Sequence, residues 1–261
     1  MKIVVCIKQV PHQDARLDLN GAATWIQEEN VKFEINPYDQ NALEAALALK
    51  DADPSTEVVV LSIGPERVTQ ALRTALGMGA DRAVHVKDPE AEGSDVLGLA
   101  KILAAVAKGE NPDLVFAGFM ADDGNMAATG PMLATLLGIP HTTTAVSLTK
   151  SNGSLTVERE LEGGALEVVK LQTPCLVTTQ TGMNQVRYAS LKGIMAAKKK
   201  PIDVKTVADL GLAGKVGASA AKVKVEKLYT PPKGQGAEIL QGPVDEVVGK
   251  VVGKIKELGL L

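Results

Sequence analysis

The sequence predicts an α/β fold: a doubly wound, mostly parallel sheet, with an antiparallel hairpin insertion and an extended C-terminal arm ending in a helix. Three observations carry that expectation. Between residues 2 and 137, short apolar runs rich in β-branched residues alternate with stretches of helical periodicity, the pattern of βαβ units. The runs 2–8, 57–64 and 113–118 each give way to a segment rich in Gly, Pro or Asn, as strand ends lining a ligand crevice do. From 142 to 171 the period shortens to alternation around SNGS and EGG turns, which signals antiparallel strands.

Taken in order, residues 2–8 (KIVVCIK) suit a central strand buried on both faces. Residues 9–30 are polar, with Pro11, Asn20 and Gly21 as turn markers and Trp25 as the single tryptophan. They read as an excursion at the sheet's C-terminal edge that holds a small hairpin. In INPYDQNALEAALALKDA, Asn36 is placed to cap a helix, Pro37 suits its first position and Asp39 puts an acid in its first turn. Residues 57–64 (EVVVLSIG) form the next strand, and Pro65 opens a helix that stops at Gly77 and Gly79. A strand at 83–86 follows, then a helix capped by Ser94 and ending near Gly109.

Residues 113–138 organise the rest. A strand (114–117) runs into the loop FMADDGNMAATG, and a helix follows with Met132, Leu133, Leu136 and Leu137 at helical spacing. A helix opened by such a loop offers unpaired N–H groups and a favourable dipole end to a phosphate, with Thr129 as a hydroxyl donor. An ordinary glycine-containing turn would look the same, since neither GxGxxG nor GxxxxGK[ST] is present. If the strands 2–8, 57–64 and 113–118 are neighbours, their ends join in one crevice of adenine-nucleotide size.

Beyond it, residues 142–150, 155–161 and 165–171 are the antiparallel strands, and 174–179 (PCLVTT) re-enters the sheet. Residues 181–200 carry an apolar cluster (Tyr188, Leu191, Ile194, Met195) beside Lys198, Lys199 and Lys200, a candidate docking segment. Residues 202–243 read as an extended arm with one strand-like piece, VKVEKLY. An amphipathic helix closes the chain with Val247, Val248, Val251, Val252, Ile255 and Leu258 on one face. The expected division is an α/β domain over 1–200 and an arm over 201–261.

With 261 residues, 45% of them hydrophobic, the chain can bury a sizeable core. A net charge of −3 argues against nucleic acid as a partner. Cys6 and Cys175 lie in apolar runs, as reduced core residues do, and three histidines are too few for a zinc site. No signal peptide and no apolar run of membrane length occurs, so a cytoplasmic protein without membrane insertion is expected. No catalytic acid, base or nucleophile and no metal site stands out.

Residues 157–179 (VERELEGGALEVVKLQTPCLVTT) resemble the signature of the β subunit of electron-transfer flavoproteins. That signature is a basic residue, an acidic-glycine turn, a Glu, then a proline, two aliphatics and a small residue. Arg159, Glu162, Gly163, Gly164, Glu167, Pro174, Leu176, Val177 and Thr178 fall in place. The resemblance extends to the MKIVVCIKQV start, the INPYDQNALEAAL helix, RTALGMGADRA and YASLKGIMAAKKKP.

It implies a heterodimer whose larger α subunit holds the redox-active FAD, with this chain supporting the flavin domain, its arm packing on that partner, and AMP bound here as a structural ligand. Carried over by position, the AMP site is Cys6, Asn36, Pro37, Tyr38, Asp39, Ser62, Ile63, Gly64 and the loop Asp123, Gly124, Asn125, Met126, Ala127, Ala128, Thr129, Gly130, Pro131, Met132. Tyr38 and residues 9–13 lie toward the FAD of the α subunit. Tyr188 to Lys200 resembles the family's recognition loop, with Leu191 as the anchor on acyl-CoA or related dehydrogenases. A membrane quinone oxidoreductase is the implied acceptor. The chain is then an electron carrier subunit rather than an enzyme.

Electron-bifurcating members, which use NADH, bind a second FAD in place of AMP. They usually carry a basic residue after the strand's glycine and a DGDTAQVGP-like loop. Here Phe119 and DGNMAATGP stand instead, which favours AMP, while NPYDQ and GP lean to the bifurcating side. A stand-alone adenine-nucleotide-binding regulator would explain the crevice but not the docking segment.

Overall fold

A computed structural model of the protein describes residues 1–151, 153–232, 234 and 236–261. Among these, the strands are β1 (Lys2–Cys6), β2 (Gln9–Pro11), β3 (Phe33–Ile35), β4 (Glu57–Ile63), β5 (Arg82–Val86), β6 (Leu114–Gly118), β7 (His141–Ser151), β8 (Ser154–Glu160), β9 (Leu166–Gln172), β10 (Cys175–Thr179) and β11 (Ile202–Lys205). The α-helices are α1 (Pro37–Ala52), α2 (Val68–Met78), α3 (Val96–Glu110), α4 (Thr129–Leu137), α5 (Leu191–Ala197) and α6 (Val244–Glu257).

Nine strands form one sheet in the order β11-β5-β4-β1-β6-β10-β7-β8-β9. Every neighbouring pair from β11 to β7 is parallel, and only β8 runs against its neighbours. The antiparallel segment is therefore a continuation of the main sheet, entered through the parallel β10–β7 pair. Its SNGS turn includes Asn152, which lies outside the described residues. The polar excursion holds the small antiparallel β2–β3 ribbon and a bridge between Leu19 and Ile26.

The runs without alternation are buried on both faces, as a covered parallel sheet requires. Ile3, Val4 and Val5 of β1 and Val58 to Leu61 of β4 are wholly inaccessible. Odd residues of β1 pack with α1 and α2 in one cluster that includes Leu43, Leu47, Leu72 and Phe116. Val4 and Cys6 pack with α3 and α4 in a second, with Ile102, Leu133 and Leu176. Side chains of this size each contribute about 1.5–3 kcal/mol on burial.

Several local expectations need correction. Asp95, not Ser94, caps α3, accepting from the Gly98 N–H at 2.8 Å, while the Ser94 hydroxyl accepts from Gly217 N. The helix expected at Pro65 begins at Val68, after a turn. Asn36 occupies the position before α1 but makes no capping bond. VKVEKLY (223–229) forms no strand, and β11 instead adds an edge to the sheet beside β5. Val207 and Val216 are buried in the α3 cluster, so the chain stays on the α/β body past Pro201. The rest of the arm includes Lys233 and Gln235, which lie outside the described residues. Helix α6 forms as expected, with Val248, Val251, Val252 and Leu258 exposed. No described helix is long and apolar enough to cross a membrane.

Candidate functional site

The strands β4, β1 and β6 lie side by side, and a cleft of about 200 Å³ opens beyond their C-terminal ends. Such ends point their last backbone groups outward with no further partner, which is why loops there form binding sites. Cys6, Ile7 and Lys8 continue from β1, Ile63 closes β4, and Ala117 to Ala121 leave β6. Gly124 to Thr129 form the far wall, with Val96, Leu99 and Leu103 of α3 facing the cleft at helical spacing.

The segment before α1 ties these loops together. Asn36 is buried; its side-chain amide donates to Met120 O at 2.8 Å and its oxygen accepts from Asp122 N at 3.2 Å. Asp39 accepts from Lys8 N and Gly118 N, each at 2.8 Å, one bond per carboxylate oxygen. The Thr179 hydroxyl donates to Tyr38 O at 2.9 Å. Three strand ends are thus gathered on one helix N-terminus. Burial pushes the Asp39 carboxyl up to about 7, against the opposing pull of the Lys8 and Gly118 amides. Burial, with Asp39 adding to it, lifts the Cys6 thiol to about 12, so Cys6 serves as a small apolar wall rather than a nucleophile.

The loop has an unusual backbone. Asn125 and Ala127 both sit at φ +50°, in the left-handed region, with Met126 between them. For Ala127 that costs about 1 kcal/mol or more. The Asn125 N–H is taken by Ala121 O at 2.8 Å, and a left-handed residue of this kind lets the N–H groups that follow it face an anion. The first turn of α4 adds N–H groups with no preceding turn to bond to. Gly130 lets that turn sit against β10: a Cβ there would stand 2.3 Å from Thr178 Cγ2. Lys8 spans the rim to Asp123, Nζ to Oδ1 2.5 Å, and is the cation among the described lining residues.

The cleft therefore brings together Cys6, Asn36, Asp39, Ile63 and residues 124–129. Others in the expected set lie outside it. Ser62 is buried and donates to Ile7 O, and Gly64 N donates to Val86 O at the strand's edge. Pro37 opens α1, and the Tyr38 ring meets the lining residue Phe119 edge-on at 6.2 Å. Asp123 sits on the rim, and Gly130, Pro131 and Met132 run on into α4. Lys8 and Ala121 fall within the expected strand-end segments 6–10 and 121–132, whereas Phe119, Met120 and the α3 wall were not anticipated as lining. The α3 residues had a signal, their i, i+3, i+7 spacing, but it is the same signal that core packing gives.

On the opposite side of α1 and α2, Tyr188 and Leu191 are 97% and 84% exposed, and Ile194 and Met195 stand beside them. Lys198 and Lys199 are exposed. Lys200 is turned inward: its ammonium donates to Leu76 O at 3.1 Å and Ala80 O at 2.5 Å, closing the C-terminal end of α2. No cluster of metal-ligating side chains occurs among the described residues.

The chain is similar to known proteins over nearly its whole length. Residues 24–210 match the family model described as the electron transfer flavoprotein domain. Over 98% of both chains the sequence is 40% identical to an electron transfer flavoprotein subunit beta of Methylophilus methylotrophus. It is 40% identical over 96% of this chain and 97% of the other to the mitochondrial subunit beta of Arabidopsis thaliana. It is also 39% identical, over 98% of both chains, to the caffeyl-CoA reductase-Etf complex subunit CarD of Acetobacterium woodii.

Proposed function

The chain belongs to the electron transfer flavoprotein family as a beta subunit, and from that premise we propose that its cleft binds AMP as a structural ligand while it supports the FAD of an alpha subunit. The observation that carries this reading is the meeting, at one cleft, of the left-handed loop 125–127, the N-terminus of α4 and an apolar wall from α3. The phosphate rests on N–H groups from Met126 to Gly130, since Pro131 has none and the Met132 N–H donates to Ala128 O, with the Thr129 hydroxyl as a further donor. Val96, Leu99 and Leu103 give the base an apolar surface, and Lys8 supplies positive charge at the rim. Asn36 and Asp39 hold these walls without touching the reaction.

In this reading the protein has no catalytic residue of its own. The flavin of the alpha subunit supplies the redox chemistry. This chain positions it, and docks acyl-CoA or related dehydrogenases through Leu191 and its apolar neighbours, Lys198 and Lys199 steering the encounter. A membrane quinone oxidoreductase is the acceptor. A second reading, FAD in place of AMP with use of NADH, draws on the similarity to the Acetobacterium protein and on Asn36 to Gln40. Phe119, where a basic residue would neutralise a pyrophosphate-bearing ligand, weighs against it.

Co-expression with the alpha subunit tests the assembly. A yellow one-to-one complex is the expected product. A colourless chain that purifies alone, with the alpha subunit in a separate fraction, contradicts the reading.

A further inference from the structure

The docking segment is bolted to the body at several points before any partner arrives. Arg187 carries the strongest of them. Its guanidinium grips Glu44 of α1 with Nε and Nη2, at 2.8–3.1 Å, and Nη2 reaches Asp51 at 2.7 Å. Its own N–H also donates to Glu44 at 3.1 Å, so one buried carboxylate fixes both the backbone and the side chain. Asn184 donates to Asn41 O at 2.9 Å one turn earlier on α1.

At the far end, Arg73 of α2 donates to Ala197 O and Lys200 O at 2.6 and 2.7 Å. Between the two ends, Gly193 lies directly on α2: a Cβ there would fall 2.2 Å from Gly77 O. The apolar anchors themselves make no such bonds and stand in solvent.

We propose that Arg187 is a positioning residue for docking: its fork on Glu44 and Asp51 holds residues 188–197 in the one arrangement that presents Leu191 to a partner. The inference rests on the docking role assigned to this segment. A loop ordered in advance loses less conformational freedom on binding, which raises affinity without any contact of its own. Arg187 is suited to this because a planar fork takes a carboxylate with two parallel bonds, which a lysine ammonium cannot do.

The test uses the whole heterodimer. In Arg187→Ala, amide exchange at 188–197 should accelerate about tenfold or more, with exchange in the sheet and the bound nucleotide unchanged. The KM for an acyl-CoA dehydrogenase reduced by its thioester substrate should rise about tenfold at constant kcat, and Arg187→Lys should fall between. Asp51→Ala, which removes one leg of the fork at an exposed position, should give a smaller change of the same kind. Unchanged exchange at 188–197, or a loss of protection spread over the whole sheet, overturns the proposal. So does faster exchange with an unchanged KM, provided that Leu191→Ala raises that KM. If Leu191→Ala leaves the KM unchanged, the docking role falls, and exchange at 188–197 still decides whether Arg187 sets the segment's place.

Discussion

Gly118→Ala is expected to destabilise the protein by about 3–5 kcal/mol. Gly118 ends β6 where the N-terminus of α1 crosses it, and a Cβ there would stand 2.3 Å from Asp39 Oδ1, 2.6 Å from Tyr38 Cβ and 2.9 Å from Asp39 N. Two of these three atoms cannot swing aside, since one is backbone and one is a Cβ. Overpacking of this kind costs about 1–3 kcal/mol. The same wedge would part the Gly118 N–H from the Asp39 carboxyl and leave two buried polar groups without each other, a loss of about 1–3 kcal/mol. For a chain of this length the sum corresponds to a fall in Tm of about 10 °C. Nucleotide should be lost as well, because Asn36 and Asp39 set the distance between the walls of the cleft. Gly124→Ala is the control: it lies in the same loop, a Cβ there meets nothing within 4 Å, and thermal unfolding should scarcely move. Equal Tm values for the two variants would mean that the crossing of α1 over β6 does not hold the cleft.

Ala128→Asp should separate stability from binding, with opposite signs. Ala128 is the residue before α4 and lines the cleft. An aspartate at that position favours the helix by about 0.5–1 kcal/mol through its dipole and first N–H groups. The same carboxylate would occupy the donors assigned to a phosphate and place a like charge against it. At about 4 Å and an effective dielectric of about 20, that repulsion is of order 4 kcal/mol, enough to lower nucleotide occupancy by about a hundredfold or more. The measurement is nucleotide content beside thermal unfolding of the unliganded protein. Loss of nucleotide with a stable fold places the phosphate at α4. Full retention would move it elsewhere.

Much of this was open to reading before the structure, and unevenly so. The strands at 2–6, 57–63 and 114–118 could be placed because two-sided burial demands unbroken aliphatic runs, and their shared end could be named because Gly, Pro and Asn follow each run. Their adjacency was conditional until the sheet order was known. What stayed hidden depended on distant partners. Asp39 looks like a first-turn acid in sequence; only the fold brings Lys8 and Gly118 to its two oxygens. Asn36 looks like a cap and instead binds the loop of β6, 84 residues away. The α3 wall of the cleft and the inward turn of Lys200 have the same cause. Val96, Leu99 and Leu103 have the spacing of core residues, and a lysine at the end of a basic run reads as surface until a helix C-terminus stands beneath it. Residues 223–229 misled in the other direction: their pattern suggested a strand, but they pair with no described strand and donate instead to Asp95 and Ala23 O, through Val223 N and Leu228 N.

The central claim is that the cleft beyond β4, β1 and β6 is a mononucleotide site. Its most direct test is to denature the pure heterodimer and quantify the FAD and AMP released. One FAD and one AMP per heterodimer is the expected result. Two FAD and no AMP would contradict it, and would assign the loop at 124–129 to a second flavin despite Phe119.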